Sequence, residues 1–120
     1  MHVERLDAVL IRSPRAEAMV RFYRDLLGLP LEKEEHGSDP PHWGCFLAGL
    51  HFAIHAAPDR VPGPTIELSF STPDVDGDLA SLKEAGVPVL QEAHDRPFGR
   101  LAAVRDPDGN VVYLHRYPEA

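Results

Sequence analysis

The sequence predicts an α+β fold of two tandem βαβββ modules, each a curved mixed sheet backed by one helix, with the two sheets forming a cleft. The first observation is an internal repeat: GLPL at residues 28–31 returns as GVPV at 86–89, and GLHFAIH at 49–55 returns as GNVVYLH at 109–115. The second is that each half contains one helical pattern and four strand patterns. Motifs that return in order at nearly one spacing indicate a duplicated structural unit.

Each helix is predicted to have a hydroxyl residue as its N-cap and a proline at its first position, at Ser13-Pro14 and at Thr72-Pro73. The hydroxyl can accept a hydrogen bond from a free amide of the first turn, and proline suits the first helical position. The helices then run over 16–27 and 74–85, and the glycine that opens each repeated motif ends them. The faces predicted to be buried carry Met19, Tyr23 and Leu26 in the first helix and Val75, Leu79 and Leu82 in the second.

The strands are predicted from alternating side chains and from turn residues between the apolar runs. The polar segments EEHGSDPP, residues 34–41, and EAHDRP, residues 92–97, are predicted to be loops. The proline-rich segment 57–64 is predicted to be a semi-rigid linker between the halves. The predicted strands span 6–12, 29–34, 42–48 and 50–56 in the first half, and 65–71, 87–92, 100–105 and 110–116 in the second.

Composition excludes several classes of function. The chain has 120 residues, and we predict a single domain over 1–120 with half-repeats at about 5–56 and 65–117. The formal net charge of −7 argues against a nucleic-acid partner, because phosphates require Lys and Arg. No apolar run approaches the roughly 20 residues that span a bilayer, so no membrane partner is predicted and the cytoplasm is the expected location. Cys45 is the only cysteine, which makes an internal disulfide impossible and favours a small core residue.

One face of the predicted sheets carries an unusual set of side chains. On the strand HFAIH, residues 51–55, His51 and His55 lie on one side and the large apolar residues on the other. A sheet face in contact with water usually carries Lys, Glu and Thr, whereas this one carries Ala, His, Tyr and one Glu. We therefore expect the mixed faces to line a small-molecule cleft, although a hydrated face or a subunit contact would also explain them.

Two motifs carry a resemblance to a known family. FYRDLLGL at residues 22–29 and DPDGN at residues 106–110 resemble the helix end and the last hairpin turn of the vicinal oxygen chelate superfamily. That group includes glyoxalase I, extradiol dioxygenases, fosfomycin-modifying enzymes and bleomycin-binding resistance proteins. The resemblance covers roughly residues 5–117 and implies the duplicated fold. It does not select a function, since one scaffold supports many chemistries.

The resemblance also implies where a metal would bind. The four ligand positions of the family's metal enzymes fall on Ala8, Ala53, Glu67 and Tyr113, and the two alanines have no donor atom. A catalytic metal generally needs about three protein ligands, so the usual site is not expected here and no metal or other cofactor is predicted. His51 and His55 lie about 13 Å apart on a straight strand and cannot share one ion. A displaced site built from His55, Glu67 and His115 is the alternative.

Because two donor atoms are missing, we expect a metal-independent small-molecule-binding protein that resembles the bleomycin-resistance branch and sequesters a cationic or aromatic ligand. The net charge of −7 favours a cationic ligand, and the resemblance implies a homodimer. Two alternatives stay open. One is a metal-dependent lyase or dioxygenase with a displaced site, and the other is a module whose mixed faces meet a partner chain. Glu67 could also act as a general base or pair with Arg12 or Arg100, and Trp43 could close the cleft mouth. The predicted ligand-binding residues are His51, His55, Glu67, Tyr113, His115 and Trp43.

Overall fold

A computed structural model describes residues 1–34, 40–61 and 63–118. The chain divides into two units, Met1–Pro62 and Gly63–Ala120. The division falls inside the predicted linker, of which residue 62 lies outside the described residues, as do residues 35–39 of the first predicted loop. None of the helices in the described ranges has the length and apolar character needed to span a bilayer.

The first unit is a four-stranded mixed sheet backed by one helix. The strands lie in the order β1-β4-β3-β2, in which β1 and β4 are parallel and the other pairs are antiparallel. The helix α1 continues directly into a π-helical segment. The elements are β1 (Ala8–Ser13), α1 (Ala16–Val20), the π-helical segment (Arg21–Leu26), β2 (Glu32–Glu34), β3 (His42–Leu47) and β4 (Leu50–Ala56).

The second unit repeats this arrangement. Its strand order is β5-β8-β7-β6, and β5 and β8 are again the parallel pair. The elements are β5 (Glu67–Ser71), α2 (Val75–Glu84), β6 (Val89–Arg96), β7 (Gly99–Arg105) and β8 (Val111–Arg116). The predicted α+β class and the two βαβββ modules are therefore confirmed.

The helix of the first unit packs on the apolar face of its sheet. Met19 and Tyr23 are fully buried, and the rings of Tyr23 and Phe52 lie 5.3 Å apart. The prediction for Leu26 was wrong, because this side chain is 43% exposed. The Leu27 amide donates to the Phe22 carbonyl five residues earlier, so the π-helical turn contains an extra residue. The faces of the residues after this turn are thereby rotated, which accounts for the exposure of Leu26.

The helix starts also differ from the prediction. Ser13 ends β1, and its Oγ accepts from the Arg15 amide at 2.9 Å, before the helix begins. The N-cap of α2 is Asp74, whose Oδ1 accepts from the Gly77 amide at 3.0 Å. A carboxylate at this position satisfies a free amide and complements the positive end of the helix dipole. The side chain of Thr72 instead fixes the turn that leads into the helix, by accepting from the Asp74 amide.

The ends of the two helices agree with the prediction. Gly28 and Gly86 have φ values of 82° and 80°, the left-handed conformation that glycine adopts without strain. Around Gly86 the amide of Val87 donates to the Leu82 carbonyl, which completes a Schellman motif. The predicted burial of Val75, Leu79 and Leu82 is likewise confirmed.

The predicted loop 92–97 was wrong, because β6 extends to Arg96. The strand lies at the edge of its sheet and contains two irregularities of register, between Val89 and Gln91 and between Gln91 and His94. An edge strand is paired on one side only and can carry polar residues throughout, so the alternation that marks a half-buried strand is lost.

A buried polar network closes the last hairpin. Asp106 Oδ1 accepts from the amides of Asp108 and Asn110, and Asp106 Oδ2 accepts from the Asn110 side chain. Asn110 Oδ1 in turn accepts from the amides of Thr65 and Ile66, at 2.8 and 3.2 Å. Through these two part-buried hydrogen bonds, the Asn110 side chain ties the start of the second unit to its last turn.

Candidate functional site

The first unit has a histidine-rich sheet face opposite its helix. His51, Ala53 and His55 alternate along β4 and therefore share this face. The pairing of the strands places His55 between Arg12 of β1 and His42 of β3, and His42 pairs with Glu34 of β2. The four side chains of this row thus cross the whole sheet.

Close contacts within this row fix the rings. The imidazoles of His42 and His55 are stacked, with centroids 4.6 Å apart and planes 5° apart. His42 Nε2 donates to Glu34 Oε2 at 2.8 Å. The pKa of His55 lies below its ordinary value, chiefly because burial disfavours the charged ring and also because His42 and Arg12 repel it. His55 is therefore held in its neutral form at neutral pH.

A second aromatic pair lies further along the same face. The rings of Phe46 and His51 are stacked with centroids 5.0 Å apart. A Cβ atom on Gly44 would lie 2.7 Å from His51 Nε2, so the imidazole of His51 occupies the space that a side chain would fill. Ala53, the residue at one metal position of the family, is fully buried beside these rings on β4. Neither residue 44 nor residue 53 can supply a donor atom.

The structure does not bring Trp43 to this face. Residues 42, 44 and 46 of β3 point to the histidine side, so Trp43 points to the helix side, in register with Ile54. Its side chain is buried and lines shallow depressions beside the helix together with Val20 and Ala16. The predicted role of Trp43 at a cleft mouth is replaced by a role in packing the helix.

The second unit carries a pocket of about 310 Å³ on the sheet face opposite its helix. Tyr113 and His115 of β8, both predicted as ligand-binding residues, lie in its wall. The other lining residues were not predicted, because they come from the edge strand and its turn or have unremarkable side chains. The pocket is lined by Ser69, Gln91, Arg96, Phe98, Leu101, Tyr113 and His115.

Glu67 and Tyr113, the residues at the two family metal positions of the second unit, are hydrogen-bonded to each other. The hydroxyl of Tyr113 donates to Glu67 Oε1 at 2.9 Å. This hydrogen bond is the main reason that the pKa of Tyr113 is raised, and desolvation and the charge of Glu67 add to it. Arg100, considered as an alternative partner of Glu67, instead pairs with Asp76 and Asp95.

His115 is held rigidly at one side of the pocket. It is 7% exposed, and its Nε2 lies 2.9 Å from the carbonyl oxygen of Phe98. A carbonyl can only accept, so Nε2 donates this hydrogen bond. The ring of Tyr117 packs against it at 4.1 Å and that of Phe98 at 5.8 Å. A buried ring packed in this way offers an apolar surface to the pocket.

The turn between β6 and β7 supplies the remaining wall. Phe98 is half exposed, and the guanidinium of Arg96 lies 5.7 Å from the centre of its ring. Gly99 has a φ of 129° and allows the turn to approach β8 closely. The pairing of β6 with β7 across this turn was not predicted, because residues 92–97 were expected to form a loop.

The residues present do not match the usual metal set of the resembling family. Ala8 and Ala53 have no donor atoms, and Glu67 is bound to Tyr113. Within residues 1–34, 40–61 and 63–118, no three His, Cys, Asp or Glu side chains lie close enough to share a metal ion. The chemistry that these faces do offer is stacking on flat rings, together with a few hydrogen bonds and the guanidinium groups of Arg12 and Arg96.

Comparison with known proteins identifies the family. The model of the Glyoxalase/Bleomycin resistance protein/Dioxygenase superfamily matches residues 5–114. None of the curated proteins that were compared matches the chain significantly.

Among solved structures, TnmS3, an antibiotic binding protein from Streptomyces sp. CB03234, is 28% identical with a TM-score of 0.77, covering 98% of this chain and 99% of its own. A glyoxylase/bleomycin resistance protein/dioxygenase domain from Frankia sp. EAN1pec is 18% identical with a TM-score of 0.76, covering 98% and 100%. A glyoxalase-related enzyme from Fulvimarina pelagi is 19% identical with a TM-score of 0.75, covering 97% and 90%.

The two structures below 20% identity share the fold, whereas the family model matches almost the whole chain and confirms the resemblance found in the sequence. The chain belongs to the Glyoxalase/Bleomycin resistance protein/Dioxygenase superfamily.

Proposed function

We propose that the protein binds an aromatic small molecule without covalent chemistry and without a metal, and so sequesters it. The observation that carries this proposal is the pocket of the second unit, in which rings and one aliphatic side chain surround a few polar groups. Its volume of about 310 Å³ is at the lower end of the range for ligand pockets, about 300–1,000 Å³. Polar groups at fixed positions would orient a flat ligand, and the apolar walls would supply most of the affinity.

The relative TnmS3 supports a binding function. It is described as an antibiotic binding protein, and at 28% identity it aligns over nearly the full length of both chains. Sequestration requires only affinity, so it does not require the donor atoms that Ala8 and Ala53 lack. His51 and His55 on the sheet face of the first unit remain proposed ligand-binding residues. Glu67 would act through Tyr113, which lines the pocket and donates to it.

The test is ligand binding measured in the presence of EDTA. A panel of flat aromatic compounds would be screened by thermal shift and then by calorimetry. A ligand at 100 times its Kd stabilises the folded state by about 2.7 kcal/mol, which corresponds to an increase of roughly 8–12 °C in Tm. Phe98→Ala should weaken binding about tenfold, because it removes an exposed ring from the pocket wall. Leu90→Ala is the matched control, since Leu90 is similarly exposed on β6 but does not line the pocket.

Metal analysis distinguishes the rival function. A stoichiometric metal in the purified protein, lost on His55→Ala or Glu67→Ala, would support a lyase or dioxygenase with a displaced site and would contradict the proposal. Absence of any thermal shift across the panel, together with concentration-dependent assembly in light scattering, would support a partner-binding module. We further propose that the protein forms a homodimer, for which light scattering should give twice the mass of one chain, about 27 kDa.

A further inference from the structure

We infer that the ligand of the second unit's pocket carries a negative charge on its ring system, as an aromatic carboxylate or an ionised phenol does. This inference rests on the proposed binding function and specifies the ligand class. It reverses the expectation from composition, because the net charge of −7 favours a cationic ligand. The reason is that the charged side chain in the pocket wall is positive.

Arg96 is the only side chain with a fixed charge among the lining residues. Its guanidinium lies over the ring of Phe98 at 5.7 Å, and no carboxylate in the described parts of the chain pairs with it. Arg24 and Arg100, by contrast, each bind an aspartate. Arginine is well suited to this position, because its planar group can stack on a ring and still donate to a carboxylate in a bidentate manner.

The neighbouring groups add donors rather than negative charge. Ser69 and Gln91 line the pocket with a hydroxyl and an amide, both of which can donate. Glu67, a carboxylate on the same face, does not line the pocket and accepts a hydrogen bond from Tyr113. An anion beside Phe98 would therefore meet Arg96 and further donors, whereas a cation would meet the repulsion of Arg96.

Distance decides between the local charge and the net charge. At physiological ionic strength, charges more than about 8 Å apart are largely screened, so distant acidic residues contribute little at the pocket. Glu67 is nearer, because it accepts from the lining residue Tyr113, and this hydrogen bond already satisfies one of its oxygens. Arg96 is within contact distance of a ligand on Phe98. Because Arg96 is exposed, the attraction is that of a surface ion pair, which corresponds to about a fivefold change in affinity. Repulsion of a cation of the same shape gives a similar factor, so the two should differ on the order of twentyfold.

The experiment uses three probes of one shape: 2-naphthoate, the neutral 2-naphthalenemethanol and the cationic 2-naphthylmethylammonium. Affinities would be measured by calorimetry in EDTA at about pH 7 for the wild type, Arg96→Gln and Arg60→Gln. Arg60 is exposed in the first unit and lines none of the three pockets described, so its substitution makes the same change in net charge elsewhere.

We expect naphthoate to bind most tightly and the ammonium most weakly to the wild type. Arg96→Gln should remove this order, Arg60→Gln should preserve it, and added salt should reduce it. Equal affinities for all three probes, or tightest binding of the ammonium, would overturn the inference while leaving the binding function intact. If none of the three probes binds, this pocket is not the ligand site, and the proposed function fails together with the inference.

Discussion

Gly99→Ala should destabilise the protein more than the same substitution at Gly86 or Gly63. It should also weaken ligand binding, because Gly99 lies in the turn that forms one wall of the pocket. Gly99 has a φ of 129°, outside the small region that other residues tolerate at positive φ. A Cβ atom there would lie 2.2 Å from the backbone oxygen of Arg116 and 2.8 Å from His115 Nε2. The backbone oxygen cannot rotate away, so the hairpin itself must shift away from β8.

The loss of stability in Gly99→Ala has two parts, the cost of placing alanine at a positive φ and the cost of the clash made by its Cβ atom. At Gly86, with φ 80° and no atom within 4 Å of a new Cβ, alanine costs only the left-handed conformation, about 1 kcal/mol. At Gly63, where φ is not positive and the space is open, alanine should be neutral or stabilise by about 0.5 kcal/mol. Gly99→Ala adds to the conformational cost a backbone clash of about 2 kcal/mol, giving roughly 3–4 kcal/mol in total.

The assay is denaturant unfolding of the three variants beside the wild type, with thermal unfolding as a second measure. For a chain of this size the loss at Gly99 corresponds to about 10–15 °C in Tm. The ligand should also bind more weakly to Gly99→Ala, because the hydrogen bond from His115 to the Phe98 carbonyl lies at the clash. If Gly99→Ala and Gly86→Ala cost the same free energy, the close approach of the turn to β8 is not real, and the geometry assigned to the pocket wall fails with it.

Three further predictions concern polar groups. The pKa of Tyr113 is raised chiefly by its hydrogen bond to Glu67, so Glu67→Gln should move the tyrosinate titration, followed by ultraviolet absorbance, to lower pH. The pKa of His55 is lowered in the folded protein, chiefly by burial, so His55 binds a proton more readily in the unfolded chain. Stability measured by denaturant unfolding should therefore decline as the pH falls below about 6.5. His55→Gln should remove part of that decline. Asn110→Ala should cost about 3 kcal/mol in the same measurement, because the amides of Thr65 and Ile66 lose their acceptor.

Each of these has an outcome that contradicts it. An unchanged tyrosinate curve in Glu67→Gln would mean that the hydrogen bond to Tyr113 is not formed in solution. A stability that is independent of pH between about 7 and 5, or that rises on acidification, would show that His55 is not held neutral. A cost below about 0.5 kcal/mol for Asn110→Ala would mean that water replaces the side chain without penalty.

The repeat and the glycines were sufficient to predict the modules. Gly28 and Gly86 end helices because each motif requires a left-handed residue before a proline, and this requirement is local in sequence. The limits of β4, Leu50–Ala56, were predicted without error, since its two faces differ along the whole strand. Features that depend on a few neighbouring residues or on simple alternation were thus accessible from the sequence.

The features that were missed depend on pairing between distant residues. Val89 pairs with Val104, but Gln91 pairs with Ala103, so one extra residue in β6 turns Gln91 towards the pocket. No pattern within the strand indicates that residue. The row that joins His55 to His42 and Glu34 likewise exists only because three strands share one register. The π-helical turn that exposes Leu26 is similarly a tertiary adjustment that helical periodicity does not indicate.

The irregular path of β6 has a consequence for self-association. The outer edge of a sheet offers unpaired amides and carbonyls to any other extended chain, and a long flat edge promotes aggregation. β6 interrupts that ladder twice within one strand and exposes the charged residues Glu92, Asp95 and Arg96. A strand from another molecule could not form a continuous set of hydrogen bonds along it and would have to desolvate these charges. The same irregularity that shapes the ligand pocket therefore protects this edge from uncontrolled strand addition.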